Sequence, residues 1–425
     1  MYKRLIPSQT ALVLGGGGAK GAYQIGVARA LDALGVGYAH AYGTSIGALN
    51  AAMLAQGNPD AAAGLWATIR LSDVVTPESI ALAEEAELVF SRPDRMLDFI
   101  TRNAQKKGLD ATPLFSVMRA AVDEQKLRSS GISFGLVTTR FPSLSMTEKR
   151  LEDMAPGSLC DWLEASAACF PALPMKQIAG ERYLDGGFSD NVPVEMAIRA
   201  GAKHIIAVDI GRTQAHTHYA LRPNITYIRA SQPLGGLLTF DPERSQRNMA
   251  LGYNDAMRAF GRLRGTHYSF DPIDAQLLSG RTQDFVCFLT AYEAEMSGRK
   301  NDAPLFSLLE EEMRPGSDAI EYFLRALELC AQTLEIDPAK VYTFEALRDA
   351  IRAALPLEQA QAMLGSLLGG RIGVLFAPPQ PDRKIVLACL HLILRHEGRF
   401  SSLAMHTLAA FPRELLCALT LREIL

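Results

Sequence analysis

The sequence predicts an α/β fold with a mostly parallel central sheet flanked by helices, followed by a mainly helical region. Two observations carry this reading. From residue 10 to about 211, short β-like runs alternate with helical segments, the pattern of strands joined by crossover helices. Beyond about residue 240 the strand signals fade and apolar residues recur at helical spacing.

The first strand is TALVL, residues 10–14, and a helix is expected from Ala22 to Leu34. There Ile25, Ala28, Leu31 and Leu34 recur at helical spacing, and Gly35 stops the run. YAHAY (38–42) reads as the second strand, a helix follows Ile46, and ISFGLVTT (132–139) and HIIAVDI (204–210) read as further strands. Residues 1–211 are therefore expected to form the α/β domain. Residues 212–240, with Pro223, Pro233 and a glycine pair, read as a linker or loop near the site. Residues 241–425 read as a helical region of unassigned role, without internal repeats. Its helical runs are SQRNMALGYNDAMRAFGRL, DFVCFLTAYEAEM, DAIEYFLRALELCAQTLE, TFEALRDAIRAAL, KIVLACLHLILRH and SLAMHTLAAF. Their apolar stripes fit core packing better than membrane contact.

Hydrophobic residues make up 48% of the 425 residues, enough for a real core. A formal net charge of -3 argues against a nucleic-acid partner, which favours basic proteins. The six cysteines lie far apart, with no CxxC pair, and are expected to be buried thiols in a reducing compartment rather than metal ligands or disulfides. ALVL is too short for a signal-peptide core, and LLGGRIGVLF and IVLACLHLIL are shorter than the roughly 20 residues that span a bilayer. A cytoplasmic protein, peripheral on membranes at most, is expected.

LVLGGGGAKG, residues 12–21, places four glycines directly behind a strand. Gly16, Gly18 and Gly21 satisfy G-x-G-x-x-G, but the acid that a dinucleotide ribose needs about 20 positions on is missing from YAHAYGTS. A phosphate-binding P-loop fails too, because Lys20 is followed by Gly21 rather than Ser or Thr. The second strand gives the glycines another meaning. It runs into Gly43-Thr44-Ser45-Ile46-Gly47, a G-x-S-x-G between strand and helix. Alone, that could be a tight turn. In this setting it reads as a nucleophile elbow, which lifts a serine hydroxyl clear of the sheet at a helix N-terminus. Exposed N–H groups on the neighbouring glycine loop would then suit an oxyanion.

A serine nucleophile needs a base. None of the eight histidines lies in a motif-like setting. The best candidate is Asp185 in RYLDGGFSDNVP, with Gly186 and Gly187 leaving the backbone bare beside it; a glycine-rich turn with Asp as turn-former is the competing reading. Asp190 and Asp209 are rival acids.

With GGGGAKG, GTSIGA and DGG in that order, residues 10 to 211 resemble the patatin-like phospholipase family of bacterial type. ASAACFPALP, DNVPV and GAKHIIAVDIG add to the match. The resemblance implies a three-layer α/β fold, a Ser-Asp dyad of Ser45 and Asp185 without histidine, and an oxyanion hole from Gly16, Gly17 and Gly18. Gly21, Gly43, Gly47, Gly186 and Gly187 would support the motifs. Lys20 stands where many relatives have arginine, so the charge is kept but the bidentate fork is lost. A free aspartate, with a pKa near 3.9, is a weak base, so a dry site that raises it is required.

The implied activity is a lipid acyl hydrolase of phospholipase A or lysophospholipase type, working without a cofactor on a lipid substrate with transient membrane contact. Acyl transfer, thioester or neutral-lipid hydrolysis would use the same groups, and an activator-dependent or non-catalytic lipid-binding regulator is the reading from another class. PLGGLLTF (233–240) is the expected lipid-facing segment.

Overall fold

The computed structural model describes residues 6–90, 109–211, 217–271, 275–296, 305–310, 313, 318–355, 382–395 and 411–424. It divides into two compact units, residues 1–261 and 262–425. The first is built on an eight-stranded sheet: β1 (Thr10–Leu14), β2 (His40–Thr44), β3 (Ser133–Phe141), β4 (Ser145–Arg150), β5 (Lys176–Ile178), β6 (Glu181–Asp185), β7 (His204–Asp209) and β8 (Ile225–Arg229). The order is β5-β6-β3-β2-β1-β7-β8, with β4 also paired to β3. Strands β3, β2, β1, β7 and β8 run parallel, while β4 and β6 run antiparallel to β3.

The helices of this unit are α1 (Ala22–Ala33), α2 (Ile46–Ala55), α3 (Pro59–Thr68), α4 (Ile80–Phe90), α5 (Thr112–Ala121), α6 (Glu124–Ser129), α7 (Leu159–Ser166), α8 (Val194–Arg199) and α9 (Pro242–Ala259). They cover both faces of the sheet. All five residues of β1 are buried, so the strand reads as a continuous apolar run. Ala11 and Val13 pack with Tyr42, Ile205 and Ala207 against Val194, Met196 and Ala197 of α8. The alternate residues Leu12 and Leu14 are buried on the opposite face, the one α2 covers.

Two boundaries differ from the sequence reading. Residues 212–240 are not only a connection, because Ile225–Arg229 forms β8, hydrogen-bonded in parallel to β7. The first unit does not close at residue 211, because α9 packs along α1 and belongs with it. Glycines explain that packing. A Cβ on Gly26 would land on the Met249 carbonyl, and one on Gly252 on the Tyr23 carbonyl, so the two backbones meet without side chains between them. The Tyr23 hydroxyl donates to Asp255 at 2.7 Å, and Asp255 also accepts from the Ser231 amide and hydroxyl at 2.8 Å. β2 lies at 40–44 rather than 38–42, which puts Ser45 immediately after the strand.

The second unit is helical as expected, with α10 (Ala275–Met296), α11 (Leu305–Glu310), α12 (Ala319–Thr333), α13 (Phe344–Ala354), α14 (Arg383–Arg395) and α15 (Pro412–Ile424). It also holds a two-stranded sheet of β9 (Ser269–Phe270) and β10 (Val341–Tyr342). LLGGRIGVLF and all but the last residue of SLAMHTLAAF lie outside the described residues. The cysteines are not uniformly buried: Cys330, Cys389 and Cys417 are, Cys160 and Cys169 are intermediate, and Cys287 is exposed. Among the described residues no helix is long and apolar enough to cross a membrane.

Replacing Gly252 by alanine is expected to destabilise the first unit by about 1–3 kcal/mol, since the added methyl must push two helix backbones apart. A shifted midpoint in urea unfolding of the full chain measures this; an unchanged midpoint would show that α1 and α9 do not touch there.

Candidate active site

The site forms where one strand replaces another along a single edge. β4 pairs with Gly135–Arg140 on one edge of β3, so β2 and β6 must share the other. β2 runs up that edge as far as Thr44 opposite Val137 and leaves the sheet. β6 comes down the same edge from the opposite direction and ends with Asp185 opposite Thr138. The residue after β2 and the last residue of β6 are thereby brought together, although 140 positions, 45 to 185, separate them in sequence.

Ser45 makes the turn out of the sheet at φ 55° and ψ −126°, a left-handed conformation that side chains rarely adopt. The glycines on either side make that turn fit. A Cβ on Gly43 would fall on the Gly47 carbonyl, and one on Gly47 on the Leu14 carbonyl, so strand, turn and helix α2 interlock backbone to backbone. The Ser45 amide donates to Ser166 Oγ at 2.8 Å, and Ser166 donates onward to the Val137 carbonyl at 2.7 Å. Ser166 closes α7 inside the ASAACFPALP stretch, and it ties the strained residue to the strand beneath it.

Asp185 is 6% exposed. At Oδ1 it accepts the Gly187 amide at 2.7 Å, and the Ser45 hydroxyl stands near enough to its carboxylate to favour the ionised form. Its own amide donates to the Ala168 carbonyl at 2.9 Å, and Thr139 Oγ1 donates to its carbonyl at 3.0 Å, so its backbone is held from two sides. Burial lifts its pKa from 3.8 to about 6, against the lowering effect of the Ser45 hydroxyl and the Gly187 amide. Gly186 is required for contact, since a Cβ there would meet the Val137 carbonyl.

The glycine loop lies beside Ser45. A Cβ on Gly16 would stand 3.2 Å from the Ser45 Cβ, and one on Gly18, at φ +56°, would strike the Leu237 carbonyl. Gly16 does not offer its amide, because that N–H donates to the Asn191 carbonyl at 3.1 Å. The expected three-glycine set is corrected on this point. The amides of Gly17 and Gly18, and that of Ile46 at the first position of α2, donate to no described residue. Gly21 serves packing, against Trp66 and Ile46. Lys20 is buried rather than solvated.

Asn191 is a residue that sequence reasoning passed over. Its Nδ2 donates to the Gly16 carbonyl at 3.2 Å, and its Oδ1 leaves no room for a side chain at Gly16. It thus braces the glycine loop from the DNVP segment. The rival acids are occupied elsewhere: Asp190 Oδ1 accepts the Val192 amide at 3.1 Å, and Asp209 accepts the Gly211 amide and the Tyr227 hydroxyl, both at 2.8 Å. His40 and His204 begin β2 and β7, at the opposite end of these parallel strands from Ser45. Among the described residues no histidine hydrogen-bonds to Ser45 or Asp185.

PLGGLLTF is in part packed, with Leu234 and Phe240 buried and residues 235–239 half-buried. The Ala19 amide donates to the Leu237 carbonyl at 2.8 Å, the Leu238 amide donates to Glu87, and Phe240 is stacked on Trp66. It forms the outer wall of the glycine loop. Exposed large apolar side chains near Asp185 in sequence or pairing are Phe188, three residues past Asp185, and Phe170, two residues past Ala168.

The site therefore combines a sharp strand-to-helix turn, a serine beside a buried aspartate, and a glycine loop whose Gly17 and Gly18 amides donate to no described residue. Residues 12–198 match the family model described as patatin-like phospholipase. Lysophospholipase NTE1 of Mycosarcoma maydis is 29% identical over 225 residues, covering 50% of this chain and 10% of that protein. Patatin-like phospholipase domain-containing protein 6 of Homo sapiens is 30% identical over 203 residues, covering 47% of this chain and 13% of that protein. The matched part is thus a small fraction of those relatives' length. The solved structure of VipD from Legionella pneumophila aligns over 99% of this chain and 92% of its own, at 16% identity and a TM-score of 0.40.

The raised pKa of Asp185 has a consequence for stability. Between pH 3.8 and about 6 the folded chain holds a proton that the unfolded chain has released. Its favourable contribution is therefore lost as pH rises through about 6, by about 3 kcal/mol. Asp185→Asn, which has nothing to ionise there, is expected to be more stable than the parent protein at pH 8 and closely similar at pH 4. Urea unfolding at the two pH values checks this; equal stability at pH 8 would mean that Asp185 titrates as a solvated carboxyl.

Proposed function

We propose that the protein is a lipid acyl hydrolase of phospholipase A or lysophospholipase type, acting through Ser45 and Asp185. The observation that carries the reading is the placement of the strained serine before α2 beside a buried aspartate of raised pKa, where the strand ends of β2 and β6 meet. In this mechanism the Ser45 hydroxyl oxygen attacks an ester carbonyl carbon while its proton passes to the Asp185 carboxylate. The oxyanion is held by the amides of Gly17, Gly18 and Ile46, aided by the N-terminus of α2. Collapse expels the alcohol, which takes the proton from Asp185. Water then attacks the acyl-enzyme, giving its proton to Asp185, and the fatty acid leaves as Ser45 recovers its hydrogen. Exposed Phe188 and Phe170 support a substrate drawn from a lipid surface.

Ser45→Ala and Asp185→Asn are each expected to lower fatty-acid release from lysophospholipid micelles by about a thousandfold or more, with the fold intact by circular dichroism. A fluorophosphonate probe should label the parent protein and not Ser45→Ala. Full activity in Asp185→Asn would remove Asp185 from the base role.

The pH profile follows from the same group. As a base Asp185 works only when ionised, so kcat/KM should rise with pH and reach half its plateau near pH 6. A half-point near pH 4 would contradict the buried aspartate as base.

A further inference from the structure

The glycine loop has Ser45 on one side and a cavity on the other. The sheet order β2-β1-β7-β8 sets this out: Ser45 follows β2, the glycine loop follows β1, Asp209 ends β7 and Arg229 ends β8. With neighbouring strands roughly 4.8 Å apart, the ends of β2 and β8 are separated by about 14 Å, and the cavity begins closer in. Its volume is about 450 Å³, and it is lined by Lys20, Asp209, Ile210, Gly211, Arg229 and Gln232 among others. The two faces of the loop are in direct succession: a Cβ on Gly16 would touch Ser45, and one on Gly17 would lie 2.8 Å from Ile210 of the cavity wall.

The charges in this cavity are two cations and one anion. Asp209 is already engaged by the Gly211 amide and the Tyr227 hydroxyl, and it lies 3.7 Å from Arg229 Nε. That contact sets the carboxylate beside the inner edge of the guanidinium. The terminal NH2 groups of Arg229 donate to no described residue, and its side chain is 33% exposed. Lys20 adds a second, buried positive charge. A guanidinium with its inner edge toward a carboxylate and its terminal NH2 groups undonated, beside an ammonium, is suited to the oxygens of a phosphate.

We propose that this cavity receives the phosphate of a phospholipid headgroup while the ester carbonyl sits over the glycine loop, with Arg229 distinguishing phospholipids from neutral glycerides. The inference rests on the lipid acyl hydrolase reading. The glycerol backbone that joins ester to phosphate spans the loop, and the headgroup beyond the phosphate lies toward Gln232. Lys20, where a family fork would stand as arginine, contributes charge without bidentate geometry, and Arg229 on the neighbouring strand supplies that geometry.

The test uses the full chain carrying Ser45→Ala, which binds without turnover, and calorimetric titration with short-chain phosphatidylcholine below its micellar concentration. Adding Arg229→Ala is expected to weaken binding by about tenfold or more, and Arg229→Lys by less. The lysine variant keeps the pairing with Asp209 and guards against loss of fold, which thermal unfolding monitors. Unchanged binding in both variants would overturn the proposal. Inorganic phosphate binding as tightly as the lipid would also overturn it, by assigning the cavity to free phosphate. In the Ser45 background the ratio of kcat/KM for lysophospholipid over monoacylglycerol should fall about tenfold in Arg229→Ala; an equal loss on both substrates would overturn the selective role. Failure of the hydrolase reading would appear separately, as no fatty-acid release from either lipid and no probe labelling of Ser45, while the binding titration still decides the cavity.

Discussion

The molecule depends on a substitution of strands along one edge of β3. β2 occupies that edge up to Val137 and β6 occupies it from Thr138 onward, arriving antiparallel. A parallel strand must leave the sheet at its C-terminal end, and an antiparallel one can end at the same level, so the two chain segments meet tip to tip. The meeting point holds Ser45 and Asp185. Thr138 and Thr139, directly beneath, give their hydroxyls to the carbonyls of Leu184 and Asp185 at 2.7 and 3.0 Å, and so hold β6 in register.

The arrangement requires a local departure from comfortable chemistry at both residues. Ser45 sits in a backbone region that costs of order 1–3 kcal/mol for a residue with a side chain. Asp185 is a carboxyl taken out of water. Neither survives alone. Ser166 holds the serine amide, three glycines allow backbones to interlock around the turn, and the Gly187 amide supports the carboxylate. Glycine here is less a source of flexibility than of absence: in the elbow, the loop and the α1–α9 contact, the position a Cβ would occupy is already taken by a carbonyl or a neighbouring side chain. That is why the same residue type marks both the site and the packing that extends the unit to residue 261.

The local sequence made much of this legible. β1 was readable because a four-residue apolar run, ALVL, leading into Gly15 admits little else, and the elbow because G-x-S-x-G follows a strand and opens a helix. β8 was less so, since ITYIR at the sheet edge is half polar and sits in a proline-containing stretch. α9 was legible as a helix but not as part of the first unit, because Gly26 and Gly252 are 226 positions apart and their close approach has no local signature. Asn191 was hidden for a similar reason. Its setting beside Pro193 reads as a turn, and only the fold brings its side chain to the Gly16 carbonyl.

What the sequence by itself determined are the features that depend on a few consecutive residues: the glycine loop, the strained serine turn, the DGG corner and the alternation of strands and helices. What only the tertiary structure decided is which groups are left with something to do. Gly16 spends its amide on Asn191 while Gly17 and Gly18 do not, and Asp190 and Asp209 are consumed by neighbouring donors while Asp185 faces Ser45. PLGGLLTF becomes a wall, and Arg229 turns toward a cavity. The physical reason is that a motif constrains backbone conformation over a few residues, whereas burial and hydrogen-bond occupancy are set by whatever distant segment packs alongside.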